Sequence, residues 1–266
     1  LLPTYDVFDE ARYFNPGSRP CVIEVPIDSG RGSKRVGLTI CEDLWNDEQY
    51  RGRRVYGVDP VARAVEAGAE VIVNISASPF ETAKEQTRES LFSRQAERHG
   101  RLVAYCNQVG GNDDLVFDGA SHVIDAAGRV IARAGSFAEQ LLVVDTRDPA
   151  SAPLAPQPPY IERIYLALVL GTRDYVHKCG FRDAVLGLSG GIDSAVTAAI
   201  AVAALGPEHV HGYAMPSRYS SDHSLADAAE LAANLGIAYD TLPIEGPHAA
   251  MEAALAPVFA GSPAGV

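Results

Sequence analysis

No two of the four cysteines, at 21, 41, 106 and 179, are close enough to form a Cys-x-x-Cys chelating or redox loop. A reduced, cytoplasmic setting is the simplest expectation for such a chain. No run of 18 apolar residues exists, so no membrane span is expected. Basic residues are scarce: 22 Lys and Arg against 34 Asp and Glu leave a formal charge of −12. That balance argues against a nucleic-acid partner, because phosphate backbones want a basic face. Anionic small molecules remain possible, bound by backbone amides, a few basic side chains and metal ions. No repeat of fixed period is visible. The opening Leu1-Leu-Pro-Thr-Tyr5 has neither Met nor a basic-then-apolar leader, and the last residues complete no element. The expectation is a chain cut at both ends. What is present can fold: 266 residues, 47% of them apolar, suit one large or two ordinary domains.

Residues 36–41, 71–75 and 102–106 read as buried strands. Between them, 60–68 starts on Pro and stops on Gly, and 82–99 is a long polar helix ending at Gly100. From 115 to 145 the pattern turns to hairpins, with a turn at Ala127-Gly128 and a further strand at 140–144. Five prolines (149, 153, 156, 158 and 159) then exclude regular structure and mark a linker. The expected domains are 1–148 and 161–266, joined by 149–160. After the linker come a helix at 161–178, a strand at 184–188 and an Ala-rich helix at 193–205. A strand at 209–215, a helix at 224–235 with Ser224 and Asp227 as a capping box, a strand at 237–244 and a helix at 249–255 follow. This alternation implies a parallel sheet with crossover helices.

The segment Gly187-Leu-Ser-Gly-Gly-Ile-Asp-Ser194 lies between a strand and a helix. There, unpaired N–H groups and the helix dipole favour an anion. Gly190 and Gly191 let a polyphosphate approach without a Cβ clash, and Ser189 and Ser194 can add hydroxyls. Asp193 would repel phosphate unless a cation such as Mg²⁺ stands between them. No Walker lysine is present. A Gly-Gly turn before a capped helix is the plainer reading. The match to the Ser-Gly-Gly-x-Asp-Ser signature resembles the ATP pyrophosphatase superfamily, where this loop binds the pyrophosphate that leaves on adenylation.

Cys41 closes a strand and enters a turn, a common place for a nucleophile. Glu42 and Asp43 beside it raise a thiol's pKa, while Lys34 and Arg35 sit at the other end of the strand. A buried cysteine acting as a small hydrophobe is the other reading.

The context of Cys41, Gly37-Leu-Thr-Ile-Cys-Glu-Asp-Leu-Trp45, resembles the nucleophile segment of the nitrilase-type glutaminase in glutamine-dependent NAD synthetases. Leu2 to Phe14, Asn74-Ile-Ser-Ala-Ser-Pro-Phe80, Tyr105-Cys-Asn-Gln-Val-Gly-Gly111 and Leu115-Val-Phe-Asp-Gly-Ala-Ser121 are similar to further family segments. So is Met215-Pro-Ser-Arg-Tyr-Ser-Ser221 in its synthetase half. The resemblance implies an α/β chain. It would be the C-terminal part of a nitrilase-like α-β-β-α glutaminase domain, then the start of a Rossmann-like parallel-sheet ATP pyrophosphatase domain.

By this resemblance Cys41 is the nucleophile, and Glu10 is the second glutamate that holds a catalytic lysine. Otherwise Glu10 is a surface acid near Arg12. Tyr5, Ser78 and Lys84 match glutamine-binding positions; their plainer readings are a packed Tyr, a turn Ser and a solvated Lys. Asn74 and Asn107, at strand ends, read as structural. The lysine and the general-base glutamate would lie before Leu1. The implied chemistry is release of ammonia from glutamine, its passage through a tunnel, and amidation of nicotinic acid adenine dinucleotide. That substrate is first adenylated by ATP, with Mg²⁺ near Asp193. A homo-oligomer is implied, and this polypeptide alone is expected to be inactive. A nitrilase-type amidase fused to a nucleotide-binding module without synthetase activity is the alternative.

Overall fold

The computed structural model describes residues 1–3, 9–27, 32–47, 56–148 and 151–261. Two compact units divide the chain, Leu1–Ala167 and Leu168–Val266.

In the first unit the strands are β1 (Cys21–Pro26), β2 (Ser33–Ile40), β3 (Val71–Ser76), β4 (Leu102–Asn107), β5 (Val109–Asn112), β6 (Leu115–Asp118), β7 (His122–Ile124) and β8 (Val130–Arg133). Six of them form one sheet in the order β1-β2-β3-β4-β7-β8, and β5 and β6 form a separate hairpin. β2, β3 and β4 run parallel, so their C-terminal ends share one edge. β1 joins them antiparallel on one side, and β7 and β8 on the other. Parallel neighbours need crossovers, supplied by helices α1 (Pro60–Glu66) and α2 (Lys84–His99). Asp59 caps α1 by accepting from the Ala62 N–H at 2.9 Å, and Pro60 occupies its first position. α2 stops at Gly100, at φ 58°. The core lies between these helices and one face of the sheet, and includes Leu44, Val61, Ile72, Leu91, Phe92, Val103 and Ile124. Phe92 packs edge-on to Trp45 with centroids 5.7 Å apart, and lies 4.8 Å from Tyr105. Burying a side chain of this kind contributes about 1.5–3 kcal/mol.

The second unit begins at Leu168, within helix α3 (Tyr160–Lys178). Its order is β9 (Ala184–Gly187), α4 (Ile192–Leu205), β10 (Val210–Ala214), α5 (Asp222–Leu235), β11 (Ala238–Thr241) and α6 (Glu245–Leu255). The three strands are all parallel, with β10 in the centre. Ala198, Ala201, Ala228 and Ala232 bring α4 and α5 close to Leu188, Val210 and Ile237. Small side chains let helices and sheet approach closely, at the expense of buried area per residue.

The α/β class and the parallel strands agree with the sequence reading, and several details differ. Residues 36–41, 71–75 and 184–188 read as buried strands, yet each strand buries one face. Ile40, Ile75 and Val185 are 68%, 56% and 70% exposed, because no described element covers the second face. Residues 140–144 form no strand: Leu141 is 90% exposed, and the run has no partner strand among the described residues. Helix α5 begins two residues earlier than expected. Ser221 is its cap, accepting from the Ser224 N–H at 3.2 Å, in place of a Ser224–Asp227 box.

Candidate active site

Cys41 stands at the C-terminal end of β2, on the edge shared by the parallel strands. It begins the 3-10 turn Cys41–Leu44 with φ 40°, in the left-handed region that non-glycine residues rarely occupy. Such a backbone costs of order 1–3 kcal/mol and persists only where its surroundings impose it. Here the Asp43 carboxylate accepts from the Ile40 N–H at 2.9 Å, and the Asn74 amide donates to the Cys41 carbonyl at 3.4 Å. The thiol is half-buried. Burial pushes it up from its ordinary range, and the Glu42 carboxylate adds to the effect. Ser76, which follows the Ile75 paired with Ile40 across β2 and β3, and the N–H groups of Ala77 and Glu42 act in the opposite direction. At rest the group is therefore a thiol, and attack on an electrophile requires its proton to leave. Lys34 is paired with Glu70 at 2.7 Å, and the Arg35 guanidinium donates to the Ala67 carbonyl, so both are engaged at the far end of β2.

Ser78 is buried two residues beyond β3, and Asn107 holds it through its backbone. The Asn107 Oδ1 accepts from the Ser78 N–H at 2.9 Å, and Nδ2 donates to the Ser78 carbonyl at 3.3 Å. Lys84 opens α2, pairs with Glu81 at 2.8 Å, and lies 6.0 Å from the centre of the Trp45 ring, in the Cys41 turn region. Its ammonium is thereby placed over the ring face rather than free in solvent. Glu10 sits in the 3-10 turn Glu10–Arg12, with Oε2 buried and lacking a hydrogen-bond partner among the described residues. Arg12 turns to the Tyr13 ring instead of Glu10. Among the described residues no hydrogen bond or ion pair joins Glu10 to Cys41, Ser78 or Lys84. Tyr5 lies outside the described residues. Sequence reasoning missed the influence of Ser76 on the thiol, because it depends on the alignment of β2 beside β3.

In the second unit, residues 188–191 connect β9 to α4, and Ile192, Asp193 and Ser194 open the helix. Ser189 Oγ and Ser194 Oγ are 3.1 Å apart, Gly191 N–H donates to Ser189 Oγ at 3.2 Å, and Ser194 Oγ donates to the Gly191 carbonyl at 2.9 Å. The hydroxyls thus brace the loop. Gly190 has φ 76°, and a Cβ there would stand 2.4 Å from the Ser224 carbonyl oxygen, so the loop presses directly on the start of α5. Gly191 caps α4 without a side chain, which leaves the first N–H groups of the helix for a ligand. A cavity of about 340 Å³ opens beside the loop, lined by Gly187, Leu188 and Ser189 together with Met215, Tyr219 and Ser224. It lies beyond the carboxyl ends of β9 and β10, where open parallel sheets place ligands. Ile192 and Asp193 are exposed in the first turn of α4. No cluster of three or more metal-binding side chains stands among the described residues. Asp193 stands in that first turn beside the hydroxyls and backbone N–H groups of the loop, where phosphate oxygens would supply the remaining ligands. That set suits Mg²⁺, which takes one or two carboxylates with phosphate oxygens and water.

The comparisons with known proteins agree with both halves. Residues 2–152 match the carbon–nitrogen hydrolase family and 164–260 the NAD synthase family. The glutamine-dependent NAD(+) synthetase of Synechocystis is 48% identical over 272 residues, covering 100% of this chain and 48% of that protein. That of Thermotoga maritima is 38% identical, covering 98% of this chain and 49% of that protein. The structure of the Acinetobacter baumannii glutamine-dependent NAD+ synthetase in complex with ADP superposes with a TM-score of 0.86 at 37% identity. It is covered over 100% of this chain and 48% of its own. The chain spans about half the length of the relatives it matches. No helix among the described residues is long and apolar enough to cross a membrane. The chain belongs to the carbon–nitrogen hydrolase family, continues into an NAD synthase segment, and aligns along its whole length with glutamine-dependent NAD(+) synthetases.

Proposed function

We propose that this chain forms part of a glutamine-hydrolysing NAD synthetase, with residues 1–148 contributing to the glutaminase and 161–266 to the synthetase. The observation that carries the reading is the strained cysteine elbow at the end of a parallel strand, in one chain with a Gly-Gly loop at a helix N-terminus. Cys41 Sγ attacks the side-chain amide carbon of glutamine. The C–N bond breaks, the nitrogen leaves as ammonia with the proton it gains, and a thioester remains for water to cleave to glutamate. Ser78 and Lys84, with Tyr5, hold the glutamine, and Glu10 positions the proton-transfer group.

In the second reaction the carboxylate of nicotinic acid adenine dinucleotide attacks the α-phosphorus of ATP and pyrophosphate leaves. Ammonia then displaces AMP and gives NAD. Residues 187–194 cradle the pyrophosphate with backbone N–H groups, and Asp193 would hold Mg²⁺, which offsets phosphate charge when bound. The cavity beside Met215 and Tyr219 takes the nucleoside. All four cysteines are free thiols, which supports a reducing, cytoplasmic setting. A homo-oligomer is carried over from the resemblance alone. The test is NAD formation by variants of the complete polypeptide that carries this chain. Asp193→Ala should abolish it with either glutamine or ammonia as nitrogen source, and retained activity would overturn the assignment.

A further inference from the structure

The hydrogen bonds around Cys41 form a chain whose direction is fixed. Thr39 Oγ1 donates its single proton to the Val73 carbonyl at 3.1 Å, so toward Asn74 it can only accept. The fully buried Asn74 therefore presents its Nδ2 to Thr39 at 3.1 Å and to the Cys41 carbonyl at 3.4 Å. Both amide protons are thereby used, and Oδ1 faces the other way. There it accepts from the Ser76 hydroxyl at 2.7 Å. With its proton on Asn74, Ser76 Oγ offers only lone pairs to the thiol beside it.

We infer that Ser76, oriented by Asn74, is a positioning residue for Cys41. Its hydroxyl donates to Asn74 while the thiol is intact and turns to donate to the sulfur once the thiolate forms. A hydrogen bond to an anion is stronger than one to a neutral amide oxygen, so the turn follows the charge. Asn74 has a second part, since the same amide that orients Ser76 holds the Cys41 carbonyl and with it the left-handed elbow. The inference rests on the reading of Cys41 as the nucleophile. The other ionisable groups that act on the thiol are Glu42, on its own turn, and Tyr105 of β4. Asp43 is turned back to the Ile40 N–H.

The test is the rate of iodoacetamide alkylation of the purified chain between pH 6 and 10, resolved to individual cysteine peptides by mass spectrometry. Exposed Cys179, in the other unit, is the internal standard. Ser76→Ala should raise the alkylation midpoint of Cys41 by about one pH unit, a roughly tenfold slower reaction below the midpoint. Cys179 should be unchanged. Ser76→Thr keeps the hydroxyl and should restore the wild-type midpoint. An unshifted Cys41 in Ser76→Ala, or a Ser76→Thr midpoint displaced as far as that of Ser76→Ala, would overturn the inference. Glutamine hydrolysis by Cys41→Ala in the complete polypeptide would instead remove the nucleophile reading, and the alkylation midpoints would still decide the role of Ser76.

Discussion

Arg88 of α2 and Asp118 of β6 form an ion pair in which each side chain is 1% exposed. Asp118 also accepts from Asn107 Nδ2 at 3.3 Å, and Asn107 is the residue that clamps the backbone of Ser78. The pair is thus the buried end of a polar chain that reaches a candidate glutamine-binding position. Removing one member leaves the other as an uncompensated buried charge. Asp118→Ala should destabilise the first unit by about 3–5 kcal/mol, measured by denaturant unfolding. Replacing both residues by apolar ones of similar volume should cost less than the single change. Equal stability of Asp118→Ala and wild type would show that the pair has no structural weight.

His122 gives the first unit an acid sensitivity. Its ring stacks on Phe92 and lies against Tyr105, with Nδ1 3.0 Å from the Ala120 carbonyl. Burial holds the imidazole down to about 4, against the pull of that carbonyl. The unfolded chain, with a His near 6.5, binds the proton first. Stability should therefore fall as pH drops from about 6.5 to about 4 and should gain nothing from this residue above 6.5. His122→Phe should flatten that slope in melts taken across pH 4 to 7. An identical slope in the variant would assign the acid sensitivity to other groups.

The two glycines of the phosphate loop should fail differently. Gly190 combines φ 76° with a Cβ position 2.4 Å from the Ser224 carbonyl oxygen, so Gly190→Ala should lower the melting temperature of the second unit by several degrees. At Gly191 the nearest atom to a Cβ is Ser189 Oγ at 3.3 Å, on a backbone with φ −87°. Gly191→Ala should keep the fold and weaken ATP binding about tenfold or more, read by calorimetry, because the methyl stands where a phosphate must approach. A Gly190→Ala protein that melts like wild type would contradict the packing argument.

Much of this was legible in the sequence, for identifiable reasons. Val71 to Ile75, and the alternation from Ala184 to Thr241, announce strands and crossovers because apolar runs, Gly stops and helix caps agree there. β1 was not legible: Glu24 and Pro26 interrupt its pattern, and it is held by register against β2 at the sheet edge. β5 carries Gly110 and Gly111, which have no side chains to show a period. The run at 140–144 misled because apolar residues imply a strand only where another strand can pair with them. Cys41 and the loop at 187–194 stood out locally, since their chemistry lies in consecutive residues. Ser76 did not, and Asn74 read only as structural, because their relation to Cys41 arises only when β3 lies parallel beside β2.

The proposed function requires the complete polypeptide to couple a cysteine-dependent release of ammonia to an adenylating site that accepts ammonia from any source. The most direct measurement is NAD formation from nicotinic acid adenine dinucleotide and ATP by Cys41→Ala in the complete polypeptide, with glutamine or with ammonium as nitrogen donor. The predicted result is loss of the glutamine reaction with the ammonium reaction retained near the wild-type rate. Loss of both, in a protein that still folds, would make Cys41 a structural thiol and contradict the account.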